Sequence, residues 1–90
     1  MIKKLEIPDI LLFQSTKYFD DRGFFAELFN INLFNNAVQS NHLFVQDNFS
    51  VSALGVLRGL HYQLPPFDQG KLVRVVHGKI RDVAVDIRKS

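Results

Sequence analysis

Helical spacing is scarce along this chain, and apolar residues fall mostly in short extended runs. Residues 5–14, LEIPDILLFQ, read as an extended segment, with Pro8 placing it at an edge or at the start of a strand. FFAELFNI (24–31) begins in strand fashion, and INLFNNAVQ (31–39) is the one candidate for a short helix. From Phe44 to Ala53 the alternation is cleaner. Val45, Phe49, Val51 and Ala53 share one face, and Gln46, Asn48, Ser50 and Ser52 the other. Residues 56–63 predict another strand. KLVRVVH (71–77), Gly78 and KIRDVAVDIR (79–88) predict a hairpin turning at the glycine. Between the runs stand turn signals: Asp20-Asp21-Arg22-Gly23, and the loop LPPFDQG at 64–70. No internal repeat or low-complexity tract interrupts them. Many short strands with turns between them predict an antiparallel, all-β sandwich or barrel.

Composition narrows the class. Ninety residues make a single domain at most, burying only about 60–65% of the surface of the unfolded chain. With 47% hydrophobic and 22% charged residues the chain is ordinary globular protein, and its nine phenylalanines predict an aromatic core. A net charge of +2 argues for neither nucleic acid nor membrane as partner. The positive charge is uneven, however. Residues 71–90 carry Lys71, Arg74, Lys79, Arg81, Arg88 and Lys89 against Asp82 and Asp86, a bias toward an anionic ligand or a solvated basic face. The absence of cysteine excludes disulfides and thiolate chemistry. No apolar run reaches membrane-spanning length and the N-terminus lacks signal-peptide character, so the expected setting is the cytoplasm.

The stretch GVLRGLHYQ (55–63) sets Arg58 and His61 three positions apart in an apolar run. In a regular strand these residues would point to opposite faces. Gly59 between them predicts a β-bulge, which would reset the alternation and turn both side chains toward one site. Taken alone, Arg58 reads as a solvated edge charge and His61 as a core histidine.

The neighbouring motifs weigh against that reading. DxRGxFxE (20–27), QDNxS (46–50), GVLRGLHYQ (55–63), QGKLVRV (69–75) and GxIxDVAVDIR (78–88) follow in order. Together they make the chain closely similar, from Phe19 to Ser90, to the dTDP-4-dehydrorhamnose 3,5-epimerase family. The resemblance implies a cupin-type jelly roll, of which residues 1–90 would form a partial, N-terminal portion in one domain. It implies inversion of C3 and C5 in the 4-keto sugar dTDP-4-dehydro-6-deoxyglucose. Each of these carbons flanks the ketone, so a base can remove its proton to give an enolate. By the resemblance His61 is that base, which suits an imidazole with an ordinary pKa of about 6.5. Lys71 would stabilise the enolate oxygen. Arg58 would hold the diphosphate through its planar fork. Gln46 and Asn48 would offer amides to sugar or base, with Asp47 contributing through its backbone. Arg22, Phe25 and Glu27 match the nucleotide-binding segment, which in the family reaches the neighbouring subunit's site in a homodimer. Phe25 would stack on the pyrimidine or fill a core.

No cofactor is implied. Many cupins hold a metal through a His-x-His pair, but this chain reads His61-Tyr62-Gln63, and His42 and His77 lack ligand spacing. Family members continue for about as long again past the position of Ser90, into the aspartate that orients the base and the tyrosine that acts as acid. Tyr18 and Tyr62 match neither. The alternatives to an epimerase are a truncated, non-catalytic nucleotide-sugar-binding module and a purely structural cupin remnant.

Overall fold

The computed structural model describes residues 1–89 and contains four short strands and one short helix. The strands form two antiparallel pairs, as expected of a strand-rich chain. The chain divides into two units, Met1–Asn48 and Phe49–Ser90; Ser90 itself lies outside the described residues.

In the first unit, β1 (Ile2–Lys4) pairs with β2 (Leu11–Phe13), with Ile2 opposite Phe13 and Lys4 opposite Leu11. The N-terminal ammonium donates to the Gln14 carbonyl at 2.7 Å, and the Gln14 amide returns a bond to Met1 at 2.8 Å. Pro8 falls in the connection, where its missing N–H costs no ladder bond. The second pair is β3 (Tyr18–Asp20) and β4 (Gly23–Phe25). Its two-residue connection sits where the Asp-Asp-Arg-Gly signal predicts a turn. Asp20 Oδ1 accepts from the Arg22 amide at 2.8 Å, and Gly23 takes φ +135°, a conformation that side-chain-bearing residues avoid. Phe19 and Phe24 meet across the pair with ring centroids 5.6 Å apart.

The helix expected over 31–39 is present as α1 (Ile31–Val38). Asn30 caps it, its side-chain oxygen accepting from the amides of Asn32 and Leu33 at 3.0 and 3.2 Å. Gln39 ends it in the left-handed conformation, φ 55°. Phe34, Ala37 and Val38, at i, i+3 and i+4, are its half-buried face. Phe34 packs against Phe13 of β2 at 5.4 Å and against Phe29 and Phe44 at 5.7 and 5.2 Å. Asn35 clamps the chain beyond the helix through reciprocal bonds to the backbone of His42, at 2.9 and 3.1 Å. This cluster is the unit's main packing feature, yet no residue is fully buried among the described residues.

The strands expected over 44–53, 56–63, 71–77 and 79–88 do not form: no strand or helix follows Val38 among the described residues. The reason is cooperative. An extended run gains stability only when a neighbour takes its backbone N–H and C=O groups and covers its apolar face. Here the side chains of Val45, Leu57 and Val85 stay exposed. The turns between the runs do survive. Val56 bonds back to Ala53 at 3.3 Å, Phe67 to Leu64 at 2.9 Å, and Gly78 holds φ +90°. Without a ladder, the bulge expected at Gly59 is not a bulge either.

Candidate functional site

Within the first unit, Arg22 lies just past the β3 terminus and turns back on Asp20. Its Nη2 donates to Asp20 Oδ2 at 2.6 Å and its Nε to the same oxygen at 3.2 Å. Both side chains are exposed, so the pair is worth little to stability. Its effect on charge is clearer. Hydrogen bonds from the Arg22 side chain, and then from its backbone, hold the Asp20 carboxyl below its ordinary range, while Asp20 raises the guanidinium. A depressed carboxyl binds its proton less readily folded than unfolded, so this contribution is present above the ordinary carboxylate pKa and is lost as pH falls through the lowered one. A carboxyl NMR titration should give Asp20 a midpoint below the ordinary value of about 3.9. Arg22→Ala should return it toward that value; an unchanged midpoint would mean the pair does not persist in solution.

Phe25 stands opposite Tyr18 in the β3–β4 pair and is 72% exposed, so it is no core residue here and its ring face is open to a ligand. Glu27 is exposed just beyond β4. Gln46 Nε2 donates to Asn48 Oδ1 at 3.2 Å, so the two amides do lie side by side, as their spacing predicts. That bond leaves the Gln46 oxygen as an acceptor and the Asn48 nitrogen as a donor, a matched pair for a base edge or sugar hydroxyls. Asp47 between them is exposed.

In the second unit, Gly59 holds φ +109°, which only glycine adopts without strain. A Cβ there would stand 3.7 Å from His61 Nδ1, so the imidazole lies over the glycine. Space is therefore adequate, and the backbone conformation is what requires glycine. Arg58 is held locally: its Nε donates to Ser52 Oγ at 2.9 Å and its Nη2 to the Val51 carbonyl at 3.2 Å. Lys71 is exposed at the end of the proline loop. No hydrogen bond joins Arg58, His61 and Lys71 to one another among the described residues, and no carboxylate there orients the imidazole. Ser52 is the contact that motif reading passed over. Its only signal was a place on the polar face of 46–52, six residues before the arginine it meets across the Gly55 turn.

No three His, Cys, Asp or Glu side chains gather as a metal-binding group among the described residues, and no helix there is long and apolar enough to cross a membrane.

Comparison with known proteins supplies the class of molecule that owns these motifs. A family model described as dTDP-4-dehydrorhamnose 3,5-epimerase matches residues 4–90. Proteins of that name match over nearly the whole chain. The one from Shigella flexneri is 61% identical over 87 residues, covering 97% of this chain and 48% of its own length. The Pseudomonas aeruginosa protein is 54% identical with the same coverage. The relative from Methanothermobacter thermautotrophicus is 49% identical over 97% of the chain and 46% of its own length. The chain belongs to the dTDP-4-dehydrorhamnose 3,5-epimerase family, and it spans about half the length of these curated relatives.

Proposed function

We propose that this chain supplies the nucleotide-diphosphate grip and the proton-abstracting base of an epimerase acting at C3 and C5 of dTDP-4-dehydro-6-deoxyglucose. The observation that carries the reading is the family match across residues 4–90, with Arg58, Gly59 and His61 in place within it. His61 removes the proton beside the C4 ketone. Lys71 donates to the enolate oxygen as charge builds there, an interaction stronger in the transition state than in the bound substrate. Arg58 fixes the diphosphate, Gln46 and Asn48 hold sugar or base, and Arg22, Phe25 and Glu27 bind the nucleotide, with the Asp47 backbone beside them. The fold we propose for the assembled protein is a cupin jelly roll, in which the extended runs after Phe44, unpaired in this structure, gain ladder partners. The test is calorimetric binding of dTDP together with solvent deuterium exchange into the sugar. Binding with exchange supports the reading, and neither occurring defeats it.

A second reading, a binding module without turnover, has its own support. Arg58 and the Gln46–Asn48 amides are organised by local contacts, whereas the His61 imidazole has no orienting carboxylate among the described residues. Binding without exchange would select it.

The partner we propose is a second copy of the chain, with residues 20–27 crossing to its site. Phe24, Phe25 and Leu28 are 58, 72 and 55% exposed, an apolar surface for so short a segment to leave in water. Joining Arg22→Ala chains to His61→Ala chains should restore one intact site per mixed dimer, although each parent is defective. Absence of recovery, with dimers present by light scattering, would show that the segment serves its own subunit.

A further inference from the structure

A guanidinium offers two hydrogen-bonding edges: the side edge, Nε with Nη2, and the end edge, Nη1 with Nη2. Which edge a protein occupies decides which one a ligand meets. Arg22 gives its side edge to the Asp20 carboxylate and Arg88 gives the same edge to Asp86, with Nη2–Oδ2 distances of 2.6 and 2.8 Å. Each of these two forks is thereby directed at a carboxylate of the chain. Arg58 also commits its side edge, but to neutral acceptors, the Ser52 hydroxyl at 2.9 Å and the Val51 carbonyl at 3.2 Å. Neutral acceptors orient the fork without cancelling its charge. The Gly55 turn, with φ +82° and the Val56–Ala53 bond, brings 51–52 and 58 together.

We infer that Ser52 is a positioning residue for diphosphate recognition: by accepting from Arg58 Nε it locks the side edge and presents the end edge, Nη1 and Nη2, to two phosphate oxygens. This rests on the reading that Arg58 binds the diphosphate. Ser52 itself need not touch the ligand. Its effect is to hold one flexible side chain in its binding geometry before the ligand arrives. Ordering a rotamer-rich side chain costs about 0.5–1.5 kcal/mol on binding, which converts to a roughly two- to tenfold loss of affinity when that order is removed.

The experiment is titration calorimetry of dTDP, with inorganic pyrophosphate as a second probe, on the wild-type chain and on Ser52→Ala, Ser52→Thr and Arg58→Ala. Ser52→Ala should weaken both ligands about two- to tenfold, Ser52→Thr should keep wild-type affinity because it keeps the hydroxyl, and Arg58→Ala should weaken both further. The Arg58 Nε–H resonance gives an independent readout, since it should exchange faster with water in Ser52→Ala and not in Ser52→Thr. Wild-type affinity and slow Nε–H exchange in Ser52→Ala, alongside weakened Arg58→Ala, would overturn the inference alone. Wild-type affinity in Arg58→Ala, or no binding by the wild-type chain, would overturn the underlying reading and the inference with it. If Ser52→Ala proves misfolded by its amide spectrum, Ser52→Thr decides: loss of affinity in a folded threonine variant, with the Nε–H bond retained, contradicts the proposal.

Discussion

Replacing His61 by alanine should stop deuterium from entering the sugar at C3 and C5, a loss on the order of a hundredfold or more given what a positioned base contributes. The expectation comes from chemistry. Removing a proton next to a ketone calls for a base that is unprotonated near neutral pH and still basic enough to take it. Among the side chains of the matched motifs, an imidazole meets both conditions without a large perturbation. The fold should survive the change. His61 is exposed, and substitutions at exposed positions away from caps and turns usually shift stability by less than about 0.5 kcal/mol. Loss of exchange would thus report chemistry and not unfolding. Exchange at the wild-type rate in His61→Ala would remove this residue from the base's role.

Arg58→Ala and Lys71→Ala should separate binding from turnover. A hydrogen bond to a charged group is worth about 1.5–3 kcal/mol, so losing the Arg58 fork should weaken dTDP on the order of tenfold to a hundredfold. Lys71→Ala should leave dTDP affinity near wild type, because dTDP carries no ketone, and should lower kcat if, as proposed, its ammonium meets charge that exists only once the enolate forms. Kinetics in the complete catalytic context and calorimetry on dTDP read the two effects separately. If Lys71→Ala weakened dTDP as much as Arg58→Ala, with kcat unchanged, Lys71 would belong to the diphosphate grip.

What the sequence made legible was local. The turn at 20–23 follows from an aspartate that bonds two residues ahead and a glycine that accepts φ +135°. The helix at 31–38 lies in the one run, 31–39, that reads as helical, and the structure adds the Asn30 cap and the half-buried Phe34, Ala37 and Val38 that hold it. The side-by-side amides of Gln46 and Asn48 follow from their spacing of two, even without a ladder. Long-range pairing is a different matter. The alternation at 44–53 and the apolar runs at 56–63 and 71–88 specify strands only where partners take their backbone groups, and pattern alone does not supply those partners. The same holds for the site. Motif order points to Arg58 and His61, but a bulge that aligns them requires a ladder, and none forms there among the described residues. The Ser52–Arg58 contact instead depends on how the chain turns at Gly55. The aromatic cluster of Phe13, Phe29, Phe34 and Phe44 joins residues up to 31 positions apart, and composition predicted its chemistry without its membership.

The most direct test of the claim that these residues hold the grip and the base of an epimerase is a proton NMR exchange measurement. This chain, joined to the remaining part of the Shigella flexneri relative, would be incubated with dTDP-4-dehydro-6-deoxyglucose in deuterium oxide. The C3 and C5 proton signals should be lost and the sugar converted to dTDP-4-dehydrorhamnose, and His61→Ala should abolish both. Tight binding of dTDP by a folded protein that leaves both protons in place would contradict it.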